Sequence, residues 1–216
     1  VDIPSFKKGQ KILLRFSAIR LRAEIFINRQ LADCQVIDNV AFETDITKFV
    51  KSGETCELAV RITDAGGNHD WRDSRTIKWN DKMLPPGHGF GGVTGEVCLK
   101  VLPEVHVSDI YMQNTPEVKK VNANISISNH SSKNEKRDVR ITLYEWNNPQ
   151  NILCSYELKN KVLKPGDNEL SVPITADNAK LWSVEEPNLY MCQVTLEKGK
   201  NTLDQSEKRF GFRWFE

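Results

Sequence analysis

The stretch Asp64–Gly92 gathers the side chains best suited to chemistry: His69-Asp70-Trp71-Arg72-Asp73, then Trp79, His88 and Phe90. Aromatic faces beside acids and a guanidinium suit a sugar site, where rings stack on C–H faces and forked hydrogen bonds hold hydroxyls. Trp71, Arg72, Trp79, His88 and Phe90 are therefore the candidate substrate-binding residues. Connections this long are usually functional or disordered, and loop packing or disorder outweighs direct substrate contact here. His69, Asp70 and Asp73 suggest a metal trio, but two carboxylates and one imidazole in a loop form a weak ligand pattern. No Ser/His/Asp or Cys/His set has supporting motif context, and no metal, cofactor or catalytic residue is expected.

The chain that must position these residues has 216 of them, enough for one large or two modest domains. Lys+Arg at 30 against Asp+Glu at 29 leaves a net charge of +1. That balance offers no field for nucleic acid or an anionic membrane surface. No apolar run approaches the roughly 20 residues of a membrane helix. The five cysteines (Cys34, Cys56, Cys98, Cys154 and Cys192) form no C-x-x-C pair. They read as buried free thiols rather than zinc ligands, although a single disulfide stays possible. Val1 stands where an initiator Met would, which suggests a processed or excised piece.

Period-2 alternation of apolar and polar residues recurs along nearly the whole chain. Lys11–Ile19 reads as a strand on Ile12, Leu14 and Phe16, and Ala23–Ile27 as its hairpin partner. Asn28-Arg29 sits at a two-residue turn position, with Arg poorer than Gly for positive φ. Glu57–Thr63 and Gly95–Leu102 complete this half, with Leu58, Val60, Ile62, Val97, Leu99 and Val101 inward. After Pro103, about seven strand-like runs of suitable spacing predict a β-sandwich. They are Val105–Tyr111, Lys119–Asn129, Arg137–Trp146, Leu153–Lys159, Asn168–Ile174, Leu189–Glu197 and Glu207–Arg213. Tyr190 precedes Cys192 by the two-residue spacing of an immunoglobulin-type tyrosine corner, without a cysteine partner in Lys119–Asn129. Helical hints are confined to Asp45–Val50 and Ala176–Leu181. The acceptor patterns Asn124-Ile125-Ser126 and Asn129-His130-Ser131 are read as incidental.

Ordered motifs then carry a resemblance. The run Phe42-Glu43-Thr44-Asp45-Ile46-Thr47 is followed by Val50-Lys51-Ser52-Gly53-Glu54 and Leu58-Ala59-Val60-Arg61. Together with the Glu24–Gln30 hairpin and Pro85–Val93, it resembles the sugar-binding, jelly-roll domain of family 2 glycoside hydrolases. Leu181-Trp182-Ser183, Glu186-Pro187-Asn188-Leu189-Tyr190 and Arg209-Phe210-Gly211-Phe212-Arg213 resemble the end of that family's immunoglobulin-like domain. Each match is weak alone; the ordered set is specific.

The resemblance implies an all-β chain: a truncated jelly-roll, galactose-binding-like sandwich at 1–102 and an immunoglobulin-like β-sandwich at 103–216. The jelly roll would lack its first strands and expose a sheet edge, since about 100 residues is short for eight strands. The family's sugar contacts do not carry over cleanly, because Pro86, Gly87, His88 and Phe90 hold their places. Its two catalytic carboxylates lie on a (β/α)8 barrel of about 250 residues. The expected function is accessory and non-catalytic, scaffolding a β-galactosidase-like active site, with the absent barrel as partner. Glu43, Asp45 and Glu186 are read as turn positions of structural motifs. Carbohydrate is a second candidate partner; nucleic acid and membrane are not expected, and a periplasmic or secreted setting is preferred to a cytoplasmic one. The alternatives are a stand-alone carbohydrate-binding module and a β-sandwich interaction protein.

Overall fold

The computed structural model describes residues 1–63, 77–79, 82–84 and 91–215, with backbone alone for Leu21, Asp38 and the segments 77–79 and 82–84. The chain is all-β and divides into two compact units, Val1–Leu102 and Pro103–Glu216. Among the described residues no helix is long and apolar enough to cross a membrane.

The first unit contains β1 (Lys11–Phe16), β2 (Ile19–Ile27), β3 (Gln30–Asp38), β4 (Phe42–Asp45), β5 (Leu58–Thr63), β6 (Ile77–Trp79), β7 (Lys82–Leu84), β8 (Gly92–Val93) and β9 (Val97–Leu102). One sheet runs β4-β1-β9 and a second runs β3-β2-β5, with β8 also on β2; β6 and β7 form a separate hairpin. The sheets share one core. Ile12, Leu14 and Phe16 from β1 meet Ala23, Ile25 and Ile27 from β2, and Phe16 stacks on Phe42 at 5.1 Å. A jelly-roll-like sandwich with open strand edges results, and no complete eight-stranded roll is present among the described residues.

Two sequence expectations change here. Ala23–Ile27 does not pair with β1; it lies in the opposite sheet, paired with β3 and β5. The cause is the link between them. The Thr94 and Gly95 amides both donate to the Ala18 carbonyl, and the Ser17 amide donates to Glu96, which pins Ser17-Ala18 and carries the chain across the core. Gly95 is required there, since a Cβ would stand 2.6 Å from the Ala18 nitrogen. Strand β3 carried no alternation to find: its sequence, QLADCQVID, breaks the apolar period with Asp33 and Gln35. At the β2–β3 turn, Asn28 (φ 49°) and Arg29 (φ 65°) are both left-handed, as a type I′ turn requires. Among the described residues of this unit the only helical element is a 3₁₀ turn at Thr47–Phe49.

The second unit contains β10 (Val105–Asn114), β11 (Lys120–Asn129), β12 (Glu135–Glu145), β13 (Asn148–Leu163), β14 (Gly166–Thr175), β15 (Tyr190–Lys198) and β16 (Asn201–Phe210). Sheets β10-β11-β14 and β13-β12-β15-β16 give the Greek-key order of an immunoglobulin-like sandwich. The inward sets Val121/Ala123/Ile125/Ile127, Val139/Ile141/Leu143 and Tyr190/Cys192/Val194/Leu196 are all buried. No disulfide joins the sheets; Cys154 and Cys192 are free thiols, and burial pushes them up to about 11 and about 12. The last strand begins at Asn201 and ends at Phe210, earlier than the run Glu207–Arg213 suggested. Asn129, inside an apparent glycosylation acceptor, is 1% exposed. Its amide donates to the Lys133 and Leu163 carbonyls, a structural use that leaves no room for a glycan.

Candidate functional site

The residues that carried the family resemblance at the end of the chain assemble into one corner of the second unit. Phe212 is fully buried and packs edge-on against Tyr190 (5.3 Å) and Phe210 (5.1 Å). The Tyr190 hydroxyl accepts from the Lys180 amide at 2.7 Å, which is the tyrosine corner its spacing suggested. Beyond β16 the chain loses strand pairing, and Asn114 holds it instead. Its amide donates to the Gly211 carbonyl (3.0 Å) and its oxygen accepts from the Arg213 amide (3.2 Å). The Trp182 amide donates to the Phe212 carbonyl at 2.8 Å. A Cβ on Gly211 would lie 3.0 Å from the Trp182 Cβ, so glycine lets the indole close over the backbone. The Arg213 guanidinium then sits between two rings, 5.2 Å from Trp182 and 5.4 Å from Phe215. Around this stack Leu181 (44% exposed), Val184 (79%), Trp214 (42%) and Phe215 (72%) face solvent.

The sugar-contact candidates fall differently. Trp71, Arg72, His88 and Phe90 lie outside the described residues, as do His69, Asp70 and Asp73. Trp79 is placed by backbone only, at the end of β6 opposite Lys82 in β7. Among the described residues no group of three metal-ligating side chains occurs.

Glu43 and Asp45 lie within β4 rather than in turns, and both are engaged. Glu43 pairs with Lys100 and faces Arg15 at 3.9 Å. Burial raises the Asp45 carboxyl, but hydrogen bonds from Lys11 and Thr47 outweigh it and hold the acid below the usual range.

A charge cluster that sequence reading passed over lies on the outer face of β2. Glu24 is 5% exposed, bonded to Arg61 from β5 and to Arg22 at 2.6 Å. The Arg61 hydrogen bond holds its carboxyl below the usual glutamate range. The available signal was Arg20-x-Arg22-x-Glu24, charges at every second position of a strand whose other face is apolar. Inside the unit, Asp33 on β3 accepts from Thr44 on β4 at 2.8 Å, a hydrogen bond between the two sheets.

The family model for glycosyl hydrolases family 2 matches residues 105–213, just over half of the chain. The chain belongs to glycosyl hydrolase family 2. Among family 2 relatives, a β-galactosidase from Thermoanaerobacter pseudethanolicus is 28% identical over 97% of this chain and 27% of its own length. A β-glucuronidase from Formosa agariphila is 22% identical over 99% of this chain and 23% of its own. The crystal structure of a family 2 member from Bacteroides cellulosilyticus matches with a TM-score of 0.76 and 21% identity, over 99% of this chain and 28% of that one. The chain spans about a quarter of the length of the curated relatives it matches.

Proposed function

We propose that these residues are accessory, non-catalytic domains of a family 2 β-glycosidase. The first unit is its sugar-binding domain, shaping one wall of the active site, and the second braces a (β/α)8 catalytic domain. The observation that carries this reading is the apolar patch of Leu181, Val184, Trp214 and Phe215, which extends from the Trp182–Arg213–Phe215 stack. Patches of large exposed apolar residues mark surfaces that another protein body covers. The pairing of the acids is consistent with it. Glu24, Glu43 and Asp45 each answer to a cation, whereas a retaining glycosidase needs one carboxyl kept protonated about 5–5.5 Å from an ionised one.

Purified chain is expected to release no nitrophenol from 4-nitrophenyl β-D-galactoside or 4-nitrophenyl β-D-glucuronide above the uncatalysed rate. Turnover that follows the chain through purification and saturates with substrate would overturn the proposal.

A further inference from the structure

The outer face of β12, β15 and β16 carries a second arrangement with sugar-reading chemistry, well away in sequence from Asp64–Gly92. Register places Thr142, Gln193 and Glu207 in one row across the three strands, and Tyr144, Met191 and Arg209 in the next. Trp146 lies two residues beyond Tyr144, just past the end of β12 with its amide on the Leu189 carbonyl; it is 43% exposed, with the Arg209 guanidinium over its ring at 4.5 Å. The Glu207 carboxylate is oriented from one side only. Tyr144 Oη (3.0 Å), Gln193 Nε2 (2.7 Å) and Gln205 Nε2 (3.4 Å) all donate to Oε1. Burial, then the Glu207 contact, pushes the Tyr144 phenol up, so it stays a proton donor.

Three donors converge on Oε1 and anchor it, leaving Oε2 of the exposed Glu207 as an acceptor. Arg209 lies two residues along the same strand face, about 7 Å away at a strand rise of about 3.4 Å per residue. Its guanidinium lies over the Trp146 ring, and its five N–H groups form a planar donor fork. A fixed acceptor, a planar donor fork and an indole beside them complement the equatorial hydroxyls and apolar C–H face of a pyranose. Lone charges or a lone aromatic ring would not. The other outward face, on β10-β11-β14, has exposed Tyr111, but its Gln113, Asn124 and Ser171 side chains are hydrogen-bonded to one another.

We propose that the outer face of β12, β15 and β16 binds a β-linked saccharide, with the exposed part of the Trp146 ring that Arg209 leaves uncovered as the apolar contact and Glu207 Oε2 and Arg209 reading adjacent hydroxyls. The ligand class, a β-glycoside, rests on the family 2 reading; the place and the residues rest on this geometry.

The test is an NMR titration of ¹⁵N-labelled chain with lactose and with methyl β-D-glucuronide. Saturable shifts are expected at the Trp146 indole N–H and the Gln193 side-chain amide. Trp146→Ala abolishes the Gln193 shift, and Glu207→Gln, which keeps the shape, weakens binding about tenfold, the scale of one charged hydrogen bond. Spectra elsewhere in the second unit stay unchanged in both variants. If neither probe moves these resonances, or if the Gln193 shift survives both substitutions, the proposal is overturned and the face is assigned to packing against protein. That outcome leaves the hydrolysis result untouched, and hydrolysis by the chain would leave this one untouched.

Discussion

In the second unit every inward residue of β11, β12 and β15 is within a few per cent of complete burial, including Val139, Ile141, Val194 and Leu196. In the first unit β1 and β2 reach the same standard, but the inward residues of β5 and β9 (Leu58, Val60, Ile62, Leu99 and Val101) are only partly buried. The buried Arg and Glu side chains divide in the opposite sense: among the described residues the second unit's buried polar side chains are His106, Ser128, Asn129, Ser131 and Thr195. The first unit buries Arg20, Glu24 and Thr44. The second builds its corner from aromatic rings and one asparagine. A sandwich that closes on hydrophobic packing should lose most from cavities, whereas one that leans on charge should respond most to pH. The two units thus test the same architecture with different interactions.

The largest expected break is Phe212→Ala. It empties the centre of the Tyr190–Phe210–Phe212 cluster and should cost about 3–5 kcal/mol. Chemical denaturation should show the loss in the transition of the second unit, with the first unit's unfolding unchanged. Next are the two glycines that close each unit. Gly211→Ala forces the Trp182 indole away and should cost about 1–3 kcal/mol. Gly95→Ala drives a methyl into backbone rather than a side chain, so its melting temperature should fall further than that of Gly211→Ala.

A pH comparison sharpens the contrast. The Glu24 carboxyl is depressed by Arg61, so its contribution is complete above the usual glutamate range and is lost as pH falls through the lowered value. Glu24→Gln should therefore lower the first unit's stability at neutral pH and flatten its acid-side decline. The second unit's decline should stay as it was. The smallest effect runs the other way. Arg29→Gly relieves a left-handed Arg at the cost of unfolded-chain freedom, and should stabilise the first unit by about 0.5–1 kcal/mol.

Much of the second unit was legible in sequence. Its strands alternate cleanly, as in Val121/Ala123/Ile125/Ile127, and Tyr190 and Cys192 advertise the corner two residues apart. The first unit was harder. Alternation marked β1 and β2 as strands but could not say which sheet each joins, because that depends on the Ser17-Ala18 link and its bonds to Thr94–Glu96. Strand β3 is held by neighbours on β2 rather than by its own pattern. The face around Trp146 was invisible because Tyr144, Gln193, Glu207 and Arg209 come from three strands that only register brings together, and Trp146 joins them through Arg209. Family motifs pointed to Phe210 and Phe212, yet the role of Asn114 in holding the chain beyond them lies almost a hundred residues away.

The central structural claim is that the Trp182–Phe212 corner completes a self-sufficient sandwich at residues 103–216. Expressing that segment alone and following its unfolding by near-ultraviolet circular dichroism tests it most directly. The account predicts a single cooperative transition with fixed aromatic signals, lost together when Phe212 is replaced by Ala. A segment with strand content but no fixed aromatic signal and no cooperative transition would contradict it.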